Sequence, residues 1–206
     1  RHTLTDEAKV VCVLPGSRSG EVARLLDVFG DTVERLAGQI PELRVIIPAV
    51  AHLHDQVAQT VSSWSVPTVV VGQDEKSAAY AASDVALAAS GTVTLELAMA
   101  GVVHVIGYRV NALTGFLGRL LIKSRYANLI NICLNREAVP EFIQDRCTPD
   151  NLAQGLVRLL TDEGIRAAQR QSAEEALMQL GLGGPPPGER AADVVLSVLS
   201  NASQEN

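Results

Sequence analysis

VCVLPGSRSGEVARLL, residues 11–26, is the stretch that decides the fold. An apolar, β-rich run stops at Pro-Gly-Ser-Arg, and a helical pattern begins at once. Apolar residues then recur at helical spacing, namely Val22, Leu25, Leu26, Phe29, Val33 and Leu36. This spacing predicts a helix over residues 21–37 with one buried stripe. A second apolar run at residues 43–47 completes a βαβ unit whose first turn is PGSRSG.

Similar runs continue along the chain and indicate the fold class. The predicted strands are residues 10–14, 43–47, 67–71, 84–88 and 102–106. Because amphipathic stretches separate these apolar strands, the sequence indicates an α/β fold with a Rossmann-like parallel sheet and helices on both faces. Further helices are expected at residues 92–100 and 112–122, and residues 126–134 are predicted to be a buried strand or an extended loop.

The last third of the sequence predicts a helical C-terminal extension. Thr148 is expected to cap a helix that has Pro149 at its first position. The rest of the chain has a helical pattern except for GLGGPPPG, residues 181–188. This segment predicts a break before a last helix at residues 190–200.

Composition limits the classes of protein to consider. An apolar content of 47% in 206 residues predicts a folded globule. No window reaches the ~18 apolar residues that a membrane span needs, and RHTLTDEAK is too polar for a signal peptide, so a cytoplasmic, soluble chain is expected. The net charge of −6 argues against general nucleic-acid binding. The spacing of Cys12, Cys133 and Cys147 fits neither a disulfide framework nor a zinc site, so reduced thiols are expected.

The charges are unevenly distributed. Between Glu96 and Glu137 the sequence has no acidic residue, but it has Arg109, Arg119, Lys123, Arg125 and Arg136. The same segment carries an apolar helical stripe, made of Leu113, Phe116, Leu117, Leu120 and Leu121. Such a segment could face phosphates or an anionic membrane surface, and ordinary packing in the core is the alternative.

The turn PGSRSGE is a candidate phosphate site, because open α/β sheets bind ligands beyond the carboxyl ends of their strands. The loops at that edge are PGSRSGE, GQDE, ASGTVTLE and GYRVN. In the first loop, glycines permit a tight turn, a helix N-terminus carries partial positive charge, and Arg18 adds a fixed cation. The alternative is a solvated turn in which Arg18 pairs with a carboxylate such as Glu21. The loop lacks the Gly-Lys-Ser/Thr ending of a P-loop.

ASGTVTLELAMAG, residues 89–101, is a second candidate site. Ser90, Gly91 and Thr92 lie where a strand gives way to a helix, so their hydroxyl and N–H groups could bind a diphosphate. Glu96 lies one turn into that helix, and its carboxylate can reach back to the same ligand and accept from a ribose diol. An ordinary capped helix with an acidic first turn explains the same residues equally well.

The histidines give weaker candidates. His52 and His54 could hold a metal, but no nearby cysteine or carboxylate pair completes a site, so two exposed histidines in a helix are expected. His104 alternates within an apolar strand and is predicted to be a core histidine with its hydrogen bonds satisfied. No metal site is therefore predicted.

Taken together, these segments resemble the C-terminal half of the lipid-A-disaccharide synthases, which are bacterial glycosyltransferases. The resemblance covers nearly the whole chain. It is carried by LPGSRSGEV (14–22), PELRVIIP (41–48), ASDVALAASGTVTLELAMAG (82–101), GYRVNALT (107–114) and NLINICLNREAVPEFIQDRCTPDNLA (128–153). The order and spacing of these pieces make it specific.

The resemblance implies the C-terminal domain of a GT-B glycosyltransferase, which holds the UDP-sugar donor. It also implies transfer, with inversion, of 2,3-diacylglucosamine from UDP to 2,3-diacylglucosamine 1-phosphate, giving a β-1,6-linked disaccharide phosphate and UDP. No metal or other cofactor is implied. Arg18 would then stabilise the charge that builds on the departing UDP.

The resemblance also implies the binding residues. Ser17 and Arg18 match the family's GSR motif, Ser90, Gly91 and Thr92 match its helix-entry loop, and Glu96 matches its ribose ligand. Tyr108 and Arg109 match a YR pair that follows a strand. Asn131 matches an asparagine of the family's S-L-P-N stretch, where this sequence reads N-L-I-N.

The family's chains are nearly twice as long, so this chain is expected to be the donor-binding half. Residues 1–9 would be a linker, residues 10–180 the UDP-sugar domain, and residues 181–206 the break and last helix. The acceptor site and general base would lie in the other half. A peripheral location at the cytoplasmic face of the inner membrane is implied, and pairing as a homodimer stays open. The alternatives are another UDP-GlcNAc-using enzyme, similar to the lipid II transferase or the 2-epimerase, and a non-catalytic α/β module.

Overall fold

A parallel sheet dominates the computed structural model, which describes residues 8–109 and 126–204. Within those residues the sheet has six strands in the order β3-β2-β1-β4-β5-β6, and all neighbours pair in parallel. The strands are β1 Lys9–Leu14, β2 Leu43–Pro48, β3 Thr68–Val71, β4 Val85–Ala88, β5 His104–Tyr108 and β6 Glu141–Ile143. The prediction of a Rossmann-like parallel sheet is therefore confirmed.

The described helices follow the strands in alternation and then continue without strands. They are α1 Ser19–Ala37, α2 His54–Val61, α3 Lys76–Ala81, α4 Val93–Met99, α5 Leu129–Leu134, α6 Pro149–Thr161, α7 Glu163–Gln179 and α8 Pro187–Gln204. Short 3-10 turns lie at Ala51–Leu53, Gln73–Glu75 and Gln144–Arg146. Among the described helices, none is both long and apolar enough to cross a lipid bilayer.

The central strands β1 and β4 are mostly apolar because helices cover the sheet on both faces. In β1, Val11 and Val13 belong to a core cluster with α1, α2 and α6, whereas Cys12 and Leu14 belong to a cluster with α4, α5 and α7. This alternation has the period of two that a strand imposes on its side chains. Both faces of β1 are therefore buried in the core, one face in each cluster.

Two sequence predictions about local structure are wrong. Residues 126–134 were expected to be extended, but residues 129–134 form helix α5. Asn128 caps it, because its side-chain oxygen accepts from Ile130 N at 2.8 Å, and Asn135 ends it in a left-handed conformation. The isoleucines of the segment favour a strand, but Asn128 at the start and Asn135 at the end cap a helix. The last helix begins at Pro187 rather than residue 190, because proline is well suited to a first helical position.

The other boundaries agree closely. Helix α6 has Pro149 in its first turn, and the Thr148 hydroxyl accepts from Asn151 N at 3.3 Å, as expected. Strand β1 begins at Lys9, one residue inside the predicted linker. The division into domains stays a prediction, and the helix and apolar stripe expected at residues 112–122 lie outside the described residues.

Candidate functional site: a pocket at the carboxyl edge of the sheet

A pocket of about 400 Å³ opens where strands β1 and β4 end. These two strands are neighbours, and the chain builds outward from β1 to β3 on one side and from β4 to β6 on the other. This is the switch point at which open α/β sheets bind ligands. The lining residues are Leu14, Gly16, Ser17, Arg18, Glu21, Pro48, Val50, Gln73, Lys76, Ala89, Ser90, Gly91, Thr92, Val93 and Glu96.

One side of the pocket, here called the arginine wall, consists of Gly16, Ser17, Arg18 and Glu21. Gly16 has a φ of +115°, a backbone conformation that residues with a side chain rarely adopt. A β-carbon there would lie 2.7 Å from Glu21 Oε2. Arg18 is the N-cap of α1 but gives no side-chain cap. The first N–H groups of that helix are thus left for a ligand or water.

Arg18 and Glu21 form an ion pair on this wall. Arg18 Nη1 donates to Glu21 Oε1 at 3.2 Å, with the arginine side chain 83% exposed and the glutamate 13% exposed. Pairing with Glu21 was the alternative that the sequence left open, and it does occur. It does not exclude phosphate binding, because a guanidinium has five N–H donors and Glu21 takes one of them. Such an exposed pair contributes at most about 1 kcal/mol.

The opposite side, here called the glutamate wall, consists of Ser90, Gly91, Thr92 and Glu96 together with Lys76. Strand β4 ends at Ala88 and α4 begins at Val93, so the loop lies between strand and helix as expected. Gly91 has φ +153°, and a β-carbon there would meet no atom within 4 Å. Ser90 Oγ donates to Ala127 O at 3.0 Å, so this hydroxyl is already engaged within the protein.

Glu96 is held by two neighbours. Lys76 Nζ lies 2.5 Å from Glu96 Oε2, and Tyr80 Oη donates to the same oxygen at 3.3 Å. Lys76 is 22% exposed and Glu96 39% exposed. Burial, followed by the charge of Glu96, raises the pKa of Tyr80, so the phenol keeps the proton that it donates. Both contacts fall on Oε2, and within the described residues Oε1 has no hydrogen bond or ion pair.

Tyr108 and Arg109 stand behind the arginine wall. Tyr108 Oη donates to Glu21 Oε1 at 3.5 Å, which links it to the ion pair. Burial raises the pKa of Tyr108, so it too stays protonated. Arg109 Nη2 donates to Cys147 O, and the Arg109 carbonyl accepts from Arg24 Nε at 3.4 Å. Neither Tyr108 nor Arg109 is among the residues that line the pocket.

Asn131 is fully buried and does not line the pocket. Its amide nitrogen donates to Val139 O at 2.7 Å and to Glu141 Oε1, and its oxygen accepts from Ala138 N and Val139 N at 2.8 Å each. The side chain thus ties α5 to β6. The expected contact with substrate stays a prediction, and the geometry assigns Asn131 to the support of the neighbouring loop.

His104 is buried as expected, but its hydrogen bonds are only half satisfied. Nδ1 pairs with Val102 O at 3.1 Å, and Nε2 has no partner within the described part of the protein. Burial lowers the pKa of His104 to about 4. The missing partner corrects the prediction of a satisfied core histidine. The three cysteines are free, and burial raises the pKa of Cys12 to about 12.

No metal cluster emerges within the described ranges, where no three histidine, cysteine or carboxylate side chains are close enough to hold an ion. His52 lies in the 3-10 turn Ala51–Leu53, and His54 opens helix α2. His54 Nδ1 is 3.4 Å from Asp55 Oδ1, a contact between neighbours in the chain. These two histidines thus remain ordinary helix residues.

Comparison with known proteins decides the family. The family model described as lipid-A-disaccharide synthetase matches residues 1–183. The chain belongs to this family. The lipid-A-disaccharide synthase of Paramagnetospirillum magneticum is 45% identical over all of this chain, which covers 53% of that relative. The chain spans about half the length of the curated relatives that it matches.

Solved structures show the same fold at low sequence identity. MurG of Acinetobacter baumannii has a TM-score of 0.59 at 17% identity, and the match covers 94% of this chain and 51% of MurG. The C-terminal domain of a group 1 glycosyltransferase from Francisella tularensis has a TM-score of 0.54 at 12% identity, covering 82% of this chain and 84% of that domain. This member of the family therefore has the fold of a GT-B glycosyltransferase C-terminal domain.

Sequence reasoning missed Lys76. The loop GQDE was singled out by its place after β3, and Lys76 is the next residue in the chain. Lys76 could have been predicted, because it is a cation at the start of a helix that follows a strand, at the same edge of the sheet as the other candidate loops. Glu21 was named only as an alternative partner for Arg18, although it lines the pocket itself.

Proposed function

We propose that this chain forms the UDP-sugar-binding half of a glycosyltransferase of lipid A biosynthesis. The reaction would transfer 2,3-diacylglucosamine from its UDP conjugate to 2,3-diacylglucosamine 1-phosphate. Membership of the lipid-A-disaccharide synthetase family supports the reaction. The observation that supports the site is the pocket between β1 and β4, which has Arg18 on one wall and Glu96 on the other.

The arginine wall would hold the diphosphate. Arg18 is permanently charged, and the first turn of α1 adds N–H donors and the positive end of a helix dipole. When the sugar leaves, negative charge builds on the outer phosphate of UDP, and Arg18, once turned toward that phosphate, would stabilise the charge. Arg18 would thus be the catalytic residue of this half, with the general base supplied by the acceptor side.

The glutamate wall would hold the ribose. Lys76 and Tyr80 occupy Glu96 Oε2, so Oε1 can accept from a ribose hydroxyl. Ser17 and the N–H groups of Gly91 and Thr92 line the same space and would complete the diphosphate site. Tyr108 would act through Glu21, and Arg109 would bind substrate only if the acceptor half brings it there. Asn131, predicted to bind substrate, would instead hold the loop beside the site, because it is fully buried and its polar atoms are all engaged.

The location would be the cytoplasmic face of the bacterial inner membrane, with the protein bound peripherally. The acid-free, basic segment and its apolar stripe support this proposal, and residues 110–125, which carry the stripe, lie outside the described residues. Co-sedimentation with anionic vesicles tests it. Neutralising Arg119, Lys123 and Arg125 together should abolish binding, and unchanged binding would refute the proposal. Pairing as a homodimer is a further proposal that size measurement would decide.

Calorimetric titration with UDP tests the proposed site. Arg18→Ala and Glu96→Ala should each weaken UDP binding by about tenfold or more, the usual loss of a charge-assisted hydrogen bond. Arg35→Ala and Glu175→Ala are matched controls, because both residues form exposed ion pairs away from the pocket. No binding by the folded wild type, or equal losses in the controls, would contradict the proposal.

The acyl chains distinguish this function from the other UDP-GlcNAc-using enzymes. If the chain serves lipid A synthesis, UDP-diacylglucosamine should bind more tightly than UDP-GlcNAc once the acceptor half is present. Equal affinities would favour an enzyme similar to the lipid II transferase or the 2-epimerase.

A further inference from the structure

Glu21 places a negative charge inside a site that is proposed to bind phosphates. Its side chain is only 13% exposed, it lines the pocket, and its carboxylate lies against Gly16 at the turn. A carboxylate in the first turn of a helix stabilises that helix modestly wherever it points. Stability alone does not explain why the charge faces the ligand side, where it repels an anion.

Two neighbours hold the carboxylate in this position. Arg18 Nη1 and Tyr108 Oη both reach Glu21 Oε1, at 3.2 Å and 3.5 Å. Arg18 is largely exposed and can turn toward a phosphate while Tyr108 retains Glu21. The phenol of Tyr108 is neutral, so once Arg18 has turned away Glu21 has no charged partner among the described residues. The carboxylate then repels the bound phosphate more strongly.

We propose that Glu21 is a specificity-determining residue that favours nucleotides whose outer phosphate is esterified over free nucleoside diphosphates. The inference rests on the proposed function and concerns the same site. A terminal phosphate carries close to two negative charges at neutral pH, whereas an esterified one carries a single charge. Repulsion by Glu21 therefore weakens the binding of UDP more than the binding of a UDP-sugar. The residue would thus help the pocket to release UDP after transfer.

The test is calorimetric titration of the chain with UDP and with UDP-GlcNAc. In Glu21→Gln, UDP should bind about tenfold more tightly and UDP-GlcNAc about threefold more tightly, so the ratio of the two affinities changes. Glu21→Asp keeps the charge and should keep the ratio. Asp27→Asn removes one negative charge from the exposed side of the same helix and is the matched control for net charge.

The outcomes separate this inference from the proposed function. If the wild type binds UDP but Glu21→Gln leaves the ratio unchanged, or weakens both ligands alike, Glu21 only positions Arg18 and the inference fails alone. If the folded wild type binds neither ligand, the proposed function fails and the inference falls with it. A change of the same size in Asp27→Asn would also overturn the inference, because net charge would then explain the effect.

Discussion

The two walls of the pocket hold their charges in different ways. On the arginine wall, an exposed guanidinium makes one 3.2 Å contact with Glu21. On the glutamate wall, Glu96 is held by Lys76 and Tyr80, and the loop before it is tied to Ala127 through Ser90. The first arrangement leaves the Arg18 side chain largely exposed, and the second holds the Glu96 carboxylate in one position through two contacts.

The difference follows from what lies behind each wall. On the arginine wall, Arg18 gives α1 no side-chain cap, and Tyr108 reaches Glu21 by one contact of 3.5 Å. The glutamate wall rests on residues 126–128, whose N–H groups at Ala127 and Asn128 donate to Glu141 at 2.8 Å and 3.2 Å. Asn131 completes that support from the buried side. If the proposed function holds, a fixed contact to the ribose and an adaptable contact to the phosphate would suit a ligand whose charge changes during the reaction.

The largest expected effect comes from breaking the support of the glutamate wall. Asn131→Ala removes the acceptor of the Ala138 and Val139 N–H groups and one donor to Glu141, which keeps its bonds from Ala127 N and Asn128 N. The loss should lower the free energy of unfolding by about 3–5 kcal/mol. Urea denaturation measures it. Asn151→Ala is the control, because its amide donates only to Arg146 O at an exposed site. A loss below about 1 kcal/mol in Asn131→Ala would show that the wall does not depend on this support.

Next in size is a change to the arginine wall itself. Gly16→Ala forces a side chain into φ +115° and against Glu21, which should cost about 1–3 kcal/mol of stability. UDP binding should weaken with it, because the displaced turn carries Arg18. The control is Gly188→Ala, where a β-carbon has open space. If thermal unfolding and UDP affinity both stay at wild-type values, the tight turn does not shape the site.

The smallest expected effect concerns Lys76. Lys76→Met removes the cation that holds Glu96, and the part-buried pair should contribute about 0.5–1 kcal/mol to ligand binding, or roughly a threefold loss of UDP affinity. Lys76→Arg keeps the positive charge and should therefore keep most of the wild-type UDP affinity. A purely steric role of the lysine would not predict this result. Stronger UDP binding in Lys76→Met would mean that the lysine competes with the ligand for Glu96.

Sequence alone predicted the sheet, because β1 and β4 are buried on both faces and their apolar runs are continuous. The two loops of the pocket followed from the ends of those strands. Strand β6 was missed, since three residues at an edge, one of them Glu141, have no pattern of their own. Helix α5 was missed because its asparagine caps compete with a β-branched composition.

The site was predicted less completely than the fold. Arg18 and Glu96, which both line the pocket, were predicted because each lies close in sequence to the end of a strand. Lys76 reaches Glu96 from a different helix, and Tyr108 reaches Glu21 from a different strand. Such contacts depend on tertiary placement, which spacing along one segment does not show. The resemblance to the family supplied residue names but not these partners.

The most direct measurement is an NMR titration with three ligands, namely UDP, uridine and inorganic pyrophosphate. Arg18→Ala should lower the affinity for UDP and pyrophosphate and leave the affinity for uridine unchanged. Glu96→Ala should lower the affinity for UDP and uridine and leave the affinity for pyrophosphate unchanged. This crossed pattern would establish that the arginine wall binds the diphosphate and the glutamate wall the ribose. Equal losses for all three ligands in both variants, or no loss in either, would contradict that division.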